Sequence, residues 1–525
     1  PGQSVCVRHV AAAGLSQSVT TTLTIGGMAG TFTSTTVPAL PQTIAFDPLP
    51  DRPIGTPPFV VGAAATSGLP VSFTSLTMPV CAVTGNTVTL AATGTCTIAA
   101  NQAGDATYAA AAQVTRSFSA TEPGLSITSV PIAAGDAHTC AIANTGGISC
   151  WGYNAYGQLG DGSVDDRVSP VDVAGLGSGM VAVAAGPQHT CALTASGGVK
   201  CWGDNATGQL GDNSNTGSPV PVDVAGLSSG VAAIAVGLGH SCALAASGGV
   251  KCWGSNGVGQ VGDGTNANRL APTDVAGLAS GVVAIAAGGS ETCALTSGGE
   301  VRCWGWNFYG QLGDGTTDNR SVPAGVSGLA SGGLAIAVGQ QHACAVTTGG
   351  VVRCWGDNTY GQIGDGSIVN RLVPANVTGL AGPVTGIAAG AVHSCALATS
   401  GGVACWGANY AGQLGDGFAS GPASAVPVDV TGLASGVAAI AAGSAHTCAV
   451  AVGGPASCWG HNGNGGLGDG TLLNRTVPVY VSGFNGFDAT PDPFPFDPQT
   501  DVAPGSVRTS NTVSPSGFNV TLPIS

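Results

Sequence analysis

Between Ala133 and Gly470 the chain repeats one pattern seven times, and this constrains its fold more than any other feature. The copy at Ala133–Gly162 reads AAGDAHTCAIANTGGISCWGYNAYGQLGDG, and the copy at Ala184–Asn213 reads AAGPQHTCALTASGGVKCWGDNATGQLGDN. The first cysteines are Cys140, Cys191, Cys242, Cys293, Cys344, Cys395 and Cys448, stepping by 51 residues five times and by 53 once. The second cysteine follows ten positions later in every copy, at Cys150, Cys201, Cys252, Cys303, Cys354, Cys405 and Cys458. Each copy holds four short apolar runs separated by turn residues. In the second copy these are Met180–Gly186, His189–Leu193, Val199–Gly203 and, after a long loop, Pro219–Leu227. Four short strands in a repeat of this length predict one propeller blade, which must stack on its neighbours to bury its faces.

Composition supports an all-β chain. Only 8% of the 525 residues are charged, and 87 are glycine. Such a mixture suits tight turns and thin strands better than long helices. The net charge of −14 disfavours nucleic-acid binding. No apolar run reaches the ~20 residues of a spanning helix, so membrane insertion is not expected.

Seventeen cysteines occur without a Cys-x-x-Cys pair, which argues against zinc and for a disulfide framework in an oxidising compartment, secreted or at a cell surface. The chain begins at Pro1 with no export signal, so such a signal has been removed or lies outside this segment. A hairpin turning at Ala195–Ser196–Gly197 sets Cys191 opposite Cys201, close enough to pair. The alternative, buried free thiols, sits poorly with identical spacing in seven copies. Each bridge closes a short loop and should contribute somewhat under ~3 kcal/mol.

The string H-[TS]-C-A-L, V-x-C-W-G-x-N, G-Q-L-G-D-G-[TS] resembles the repeat of the regulator of chromosome condensation family over about residues 126–485. The blade cysteines set this chain apart from intracellular members and fit a secreted bacterial branch. The resemblance implies a closed seven-bladed ring. The first copy opens on Ser129–Gly135 without a preceding Pro-Val strand, and the last ends on an extra one, Val477–Val481. The family's manner of closure implies that this last strand joins the first repeat's sheet.

Residues 38–121 form a separate unit with Pro-rich turns and the strings SGLPVSF and GTCTIAANQAGDATYAAA, which resemble bacterial immunoglobulin-like surface modules; Cys81 and Cys96 are expected to pair inside it. Residues 1–37 and 486–525 resemble the second and first halves of one β-sandwich repeat, and Cys6 has no evident partner. The fold class expected is therefore all-β: a seven-bladed β-propeller at 122–485, flanked by an immunoglobulin-like domain at 38–121 and by incomplete β-sandwich modules at 1–37 and 486–525.

Several repeated residues invite a chemical role. His138, His189, His240, His342, His393 and His446 share one position, which Glu291 fills in the fourth copy. They could bind metal, but ligands on separate blades stand too far apart for one ion, so bonding to nearby backbone is the simpler expectation. Asp161, Asp212, Asp263, Asp314, Asp365, Asp416 and Asp469 lie in the GDG loops. Calcium is conceivable there, but Arg167, Arg269, Arg320, Arg371 and Arg475 stand six residues after five of these aspartates, which favours loop-bracing pairs. The blade tryptophans read as packing between blades. Tyr153, Tyr156, Trp306, Phe308, Tyr309, Tyr360 and Tyr410 follow the CWG string on one set of loops, where they either pack the loops or anchor a partner. No catalytic triad, phosphate loop, paired carboxylates or cofactor motif stands out, so no enzyme activity, cofactor or metal is expected.

Three functions follow as expectations. The first is an extracellular structural or adhesive bacterial protein, one unit of a tandem array or filament whose subunits complete each other's terminal sandwiches through residues 1–37 and 486–525. The second is a secreted protein-binding propeller using Trp306, Phe308, Tyr309, Tyr360 and Tyr410; the family resemblance implies this through a β-lactamase inhibitor that binds by loop aromatics. The third, an enzyme or nucleotide-exchange factor like the intracellular relatives, is disfavoured by the acidic balance and the cysteines.

Overall fold

A computed structural model describes residues 18–25, 28–35, 39–49, 52–53, 58–92, 94–121, 132–418, 423–452 and 454–484. All regular elements among them are strands. The chain divides into two units, 1–124 and 125–525.

The first unit contains a hairpin, Ser18–Ile25 with Met28–Thr35, whose strands pair only with each other among the described residues. Beside it in sequence stand three small sheets that share one core. The first runs Arg52–Pro53, Val114–Thr121, Gly94–Asn101, Ser72–Ser75; the second runs Phe59–Val60, Thr87–Leu90, Cys81–Thr84; the third pairs Ile44–Phe46 with Ala63–Ala65. Phe46, Val61, Val88, Ile98 and Phe118 fill the core. The Cys81–Cys96 disulfide staples the first sheet to the second. Residues 1–17, Cys6 among them, and 485–525 lie outside the described residues, as do the two sandwich halves read from them apart from the hairpin.

The second unit is a propeller of consecutive four-stranded antiparallel sheets, seven among the described residues. The second sheet shows the plan: Met180–Ala185, His189–Thr194, Val199–Gly203, Ser218–Asp223 in spatial order. The His189–Thr194 and Val199–Gly203 strands are almost wholly buried, whereas Ser218–Asp223 faces partly outward. Burial on both faces is why these strands read as near-continuous apolar runs instead of alternating ones. Cys191 lies directly opposite Cys201, and all seven repeat pairs are bridged, with Cα separations of 4.0–4.1 Å.

A cycle of glycines closes the ring. Gly135, Gly186, Gly237, Gly288, Gly339, Gly390 and Gly443 end the innermost strands, and a Cβ built on each would strike the carbonyl oxygen of the next glycine in that order, Gly443 striking Gly135. Only a residue without a side chain permits this approach. The seven glycines line a narrow central channel of about 100 Å³.

The expected strand exchange at closure does not occur. Arg475–Tyr480 pairs with Ala456–Gly460 of its own sheet, and the first sheet has its own outer strand, Arg167–Asp172. The loop after each CWG string turns back on itself and lays the next strand against the one just left, Gly152 facing Arg167. Sheet and sequence repeat therefore share one phase, and no strand is spare. Both side-chain and backbone contacts seal the last blade to the first: Trp151 Nε1 donates to Gly466 O at 3.0 Å, Gly470 N donates to Val168 O at 3.0 Å, and Phe484 packs on Trp151.

Candidate functional site

The loops that follow the CWG strings share one face of the propeller, and a buried asparagine shapes each of them. In the fourth blade Asn307 Oδ1 accepts from Leu312 N at 2.9 Å, while its Nδ2 donates to Thr316 O at 3.1 Å and Asp318 O at 3.0 Å. Asn154, Asn205, Asn256, Asn358, Asn409 and Asn462 are buried at the same position. Sequence reasoning gave these residues no role, although W-G-x-N recurs in all seven copies. The loops also carry the expected braces. Arg167, Arg269, Arg320, Arg371 and Arg475 pair with Asp161, Asp263, Asp314, Asp365 and Asp469. Partial burial pushes these carboxyls up, but hydrogen bonds from the loop Ser or Thr and from the arginine outweigh it and hold them below the ordinary range. In the second and sixth blades a serine, Ser218 and Ser424, stands opposite the blade glycine where the other five have arginine.

Beneath the loops, each histidine reaches a hydroxyl of the next blade through Nε2, and of the six only His446 also bonds backbone, at Asp136, the kind of partner expected. His138 Nε2 meets Thr190 Oγ1 at 2.9 Å, His189 meets Ser241 at 2.8 Å, and His240 meets Thr292 at 2.8 Å. His342–Ser394, His393–Thr447 and His446–Thr139 continue the series. The imidazoles are fully buried, and desolvation lowers them to about 3 for His138, His189 and His393 and to about 4 for His240, His342 and His446. They stay neutral, and each serves as a joint between two blades.

The joint between the fourth and fifth blades is different. Glu291 replaces the histidine and Ala343 replaces the hydroxyl, so both halves of the contact change together. Glu291 is fully buried; Oε2 accepts from Ser290 N at 3.0 Å, and Oε1 has no partner. Burial raises its carboxyl well above the ordinary range, and the backbone amides of Ser290 and Glu291 offset only part of that. The blade tryptophans pack between blades as expected: Trp355 Nε1 donates to Gln311 O of the preceding blade at 2.9 Å.

On the exposed side the structure gathers some of the candidate aromatics. Trp306, Phe308 and Tyr309 form one cluster, with Phe308 5.0 Å from Tyr309 and Trp306 5.6 Å from Tyr309 between centroids. Phe308 is 64% exposed. Tyr153 and Tyr156 form a second pair at 6.3 Å. Tyr360 and Tyr410 are exposed on the fifth and sixth blades; desolvation first, then Tyr360 and Asp136, raise the Tyr410 hydroxyl. Among the described residues no group of three or more His, Cys, Asp or Glu is placed to hold a metal ion.

Comparison with known proteins agrees with this architecture. The model of the RCC1-like domain matches residues 64–339, and models of the regulator of chromosome condensation (RCC1) repeat match 350–397, 400–450, 334–362 and 384–413. The chain belongs to the RCC1 repeat family. It is 32% identical over 356 residues to the ultraviolet-B receptor UVR8 of Arabidopsis thaliana, covering 67% of this chain and 81% of that one. It is 34% identical over 344 residues to the E3 ubiquitin-protein ligase HERC2 of Homo sapiens, covering 63% of this chain but only 7% of HERC2. Among solved RCC1-type structures, Prp20p of Saccharomyces cerevisiae superposes with a TM-score of 0.57 at 25% identity, covering 65% of this chain and 87% of that one. Human WBSCR16 superposes with a TM-score of 0.54 at 26% identity, covering 61% and 85%.

Proposed function

We propose that this chain is a non-catalytic protein-binding module of an oxidising, extracellular compartment: a seven-bladed RCC1-type ring, on one chain with an immunoglobulin-like module, that presents loop aromatics to a partner. The observation that carries this reading is the Trp306–Phe308–Tyr309 cluster, three mutually packed rings held at the surface by a loop that Asn307 and the Arg320–Asp314 pair fix. Rigid aromatic groups lose little freedom on binding and make good anchors. Eight disulfides among the described residues support the compartment. Relatives do not locate it, since one at 32% identity, RUG3 of Arabidopsis thaliana, is named as mitochondrial. Protein binding is in keeping with the family: the Prp20p structure is described together with its binding to Gsp1p and histones. The ligase activity of HERC2 is not carried over, because this chain spans so little of that protein.

The test is retention of proteins from the chain's own extracellular milieu on immobilised wild type and on the Trp306→Ala/Phe308→Ala/Tyr309→Ala variant. A protein held by the first and lost by the second supports the reading; identical retention on both refutes it. A second reading, self-assembly through residues 1–37 and 486–525, draws on the Ser18–Ile25/Met28–Thr35 hairpin, a two-stranded ribbon whose outer edges invite pairing. Electron micrographs of native material should then show fibres, and isolated particles at all concentrations would end that reading.

A further inference from the structure

The aromatic cluster borders an aliphatic rim on the next blade. Leu372 lies directly over Gly310, the residue after Tyr309, and Gly315 N donates to Leu372 O at 2.9 Å. The fourth-blade loop and the fifth-blade rim are therefore one continuous surface. That rim is unusual among the repeats. Ile368 and Val369 are 67% and 60% exposed, and Leu372 and Val373 beside them are exposed too. The same two loop positions hold Thr317 and Asp318 in the fourth blade and Asn266 and Ala267 in the third. The seventh blade has exposed Leu472 and Leu473 but follows them with half-buried Thr476 and Val477. The first blade exposes one valine in each place, Val164 and Val168, whereas the fifth, alone among the described residues, exposes two large aliphatic side chains on its loop and two on its outer strand.

The charge on this surface has one sign. Arg320 and Arg371, the cations at hand, are bound to Asp314 and Asp365 at 2.8 and 2.5 Å. Asp318 is exposed and has no ion-pair partner among the described residues. The chain as a whole carries −14.

We infer that Phe308 with its neighbours and the Ile368–Val373 rim form one footprint across the fourth and fifth blades, and that its occupant is a protein segment with an apolar centre flanked by Lys or Arg. This rests on the binding role proposed above. It adds the second half of the footprint and the partner's chemistry. Apolar complementarity supplies the anchor, while the acidic margin selects the flanking charge. A second copy of this acidic chain and an anionic lipid surface both bear the wrong sign.

Two fluorescein-labelled peptides test it, sharing one Leu-Phe-Ile-Leu core and flanked by Lys in one and by Glu in the other, with binding to the full chain read by anisotropy. The Lys-flanked peptide should bind, and the Glu-flanked one about tenfold or more weakly. Ile368→Ser/Val369→Ser should weaken the Lys-flanked peptide about tenfold with an unchanged melting temperature, whereas Leu472→Ser/Leu473→Ser should leave it unaffected. Loss with Phe308→Ala but not with the Ile368/Val369 variant overturns the footprint and spares the binding role. If neither variant weakens binding, or the Lys-flanked peptide does not bind, the footprint and the role it rests on both fail. Equal binding of the two peptides overturns the charge assignment. Sedimentation velocity showing micromolar self-association that the Ile368/Val369 variant abolishes makes a second copy the occupant and overturns the inference.

Discussion

The six histidine joints should make this ring sensitive to acid. In the unfolded chain a histidine takes up its proton near pH 6.5. In the folded ring burial delays that uptake to about 4 for His240. The unfolded state therefore binds more protons throughout this interval, and the joint's contribution, full above pH 6.5, is lost as pH falls towards 4. Between pH 6.5 and 5 one such imidazole should cost about 2 kcal/mol. Six of them together reach the order of a whole domain's stability, about 5–15 kcal/mol. The His240→Gln variant separates titration from packing, since its amide can still donate to Thr292 Oγ1, which lies 2.8 Å from His240 Nε2 in the parent. At pH 7.5 it should be less stable than the parent by about 1–2 kcal/mol for imperfect packing and hydrogen bonding. Between pH 7.5 and 5 it should lose about 2 kcal/mol less than the parent. Guanidinium denaturation followed by tryptophan emission reports this, because all seven blade tryptophans are fully buried. Parallel pH profiles for parent and variant would falsify the argument that desolvated neutral imidazoles hold the joints.

Glu291 has the opposite sign: its carboxyl stays protonated in the fold and ionises in the unfolded chain, so stability falls as pH rises above its ordinary range. Glu291→Gln should therefore raise the denaturation midpoint, by more at pH 8 than at pH 5, and a lower midpoint at pH 8 contradicts this. Replacing Cys191 and Cys201 by alanine should cost about 3 kcal/mol on the chain-entropy account, measured against the oxidised parent. Gly339→Ala drives a methyl group into the His342 ring and the Gly390 carbonyl, so it should lower the melting temperature far more than Gly349→Ser at an open turn, where only the positive φ of 83° opposes a side chain. Asn307→Ala leaves the Thr316 and Asp318 carbonyls without their donor and should raise hydrogen exchange at Leu312 N, with little change in the remaining blades.

The sequence alone determined the repeating unit. The ten-residue cysteine spacing about the Ala195–Ser196–Gly197 turn pointed to a hairpin with opposed sulfurs, because the turn fixes the register, and Cys191↔Cys201 has that register. Local spacing likewise placed Arg320 within reach of Asp314, six residues earlier in the same loop. Of what joins one blade to the next, the tryptophan packing was legible but the histidine joints were not. His240 and Thr292 stand 52 residues apart and meet only when the ring closes. The phase of the sheets was misjudged for a related reason: sequence shows that a Pro-Val strand follows each loop, but not which neighbour it pairs with. The tertiary structure decided that, because a loop folded around a buried asparagine returns the chain to the strand it left. It also decided what borders the Trp306–Phe308–Tyr309 loop, setting Leu372 of the next blade over Gly310, while Tyr153 and Tyr156 form a separate pair. Local pairing is set by chain distance, whereas contacts between blades depend on how seven units close around a channel whose seven glycine positions admit no side chain.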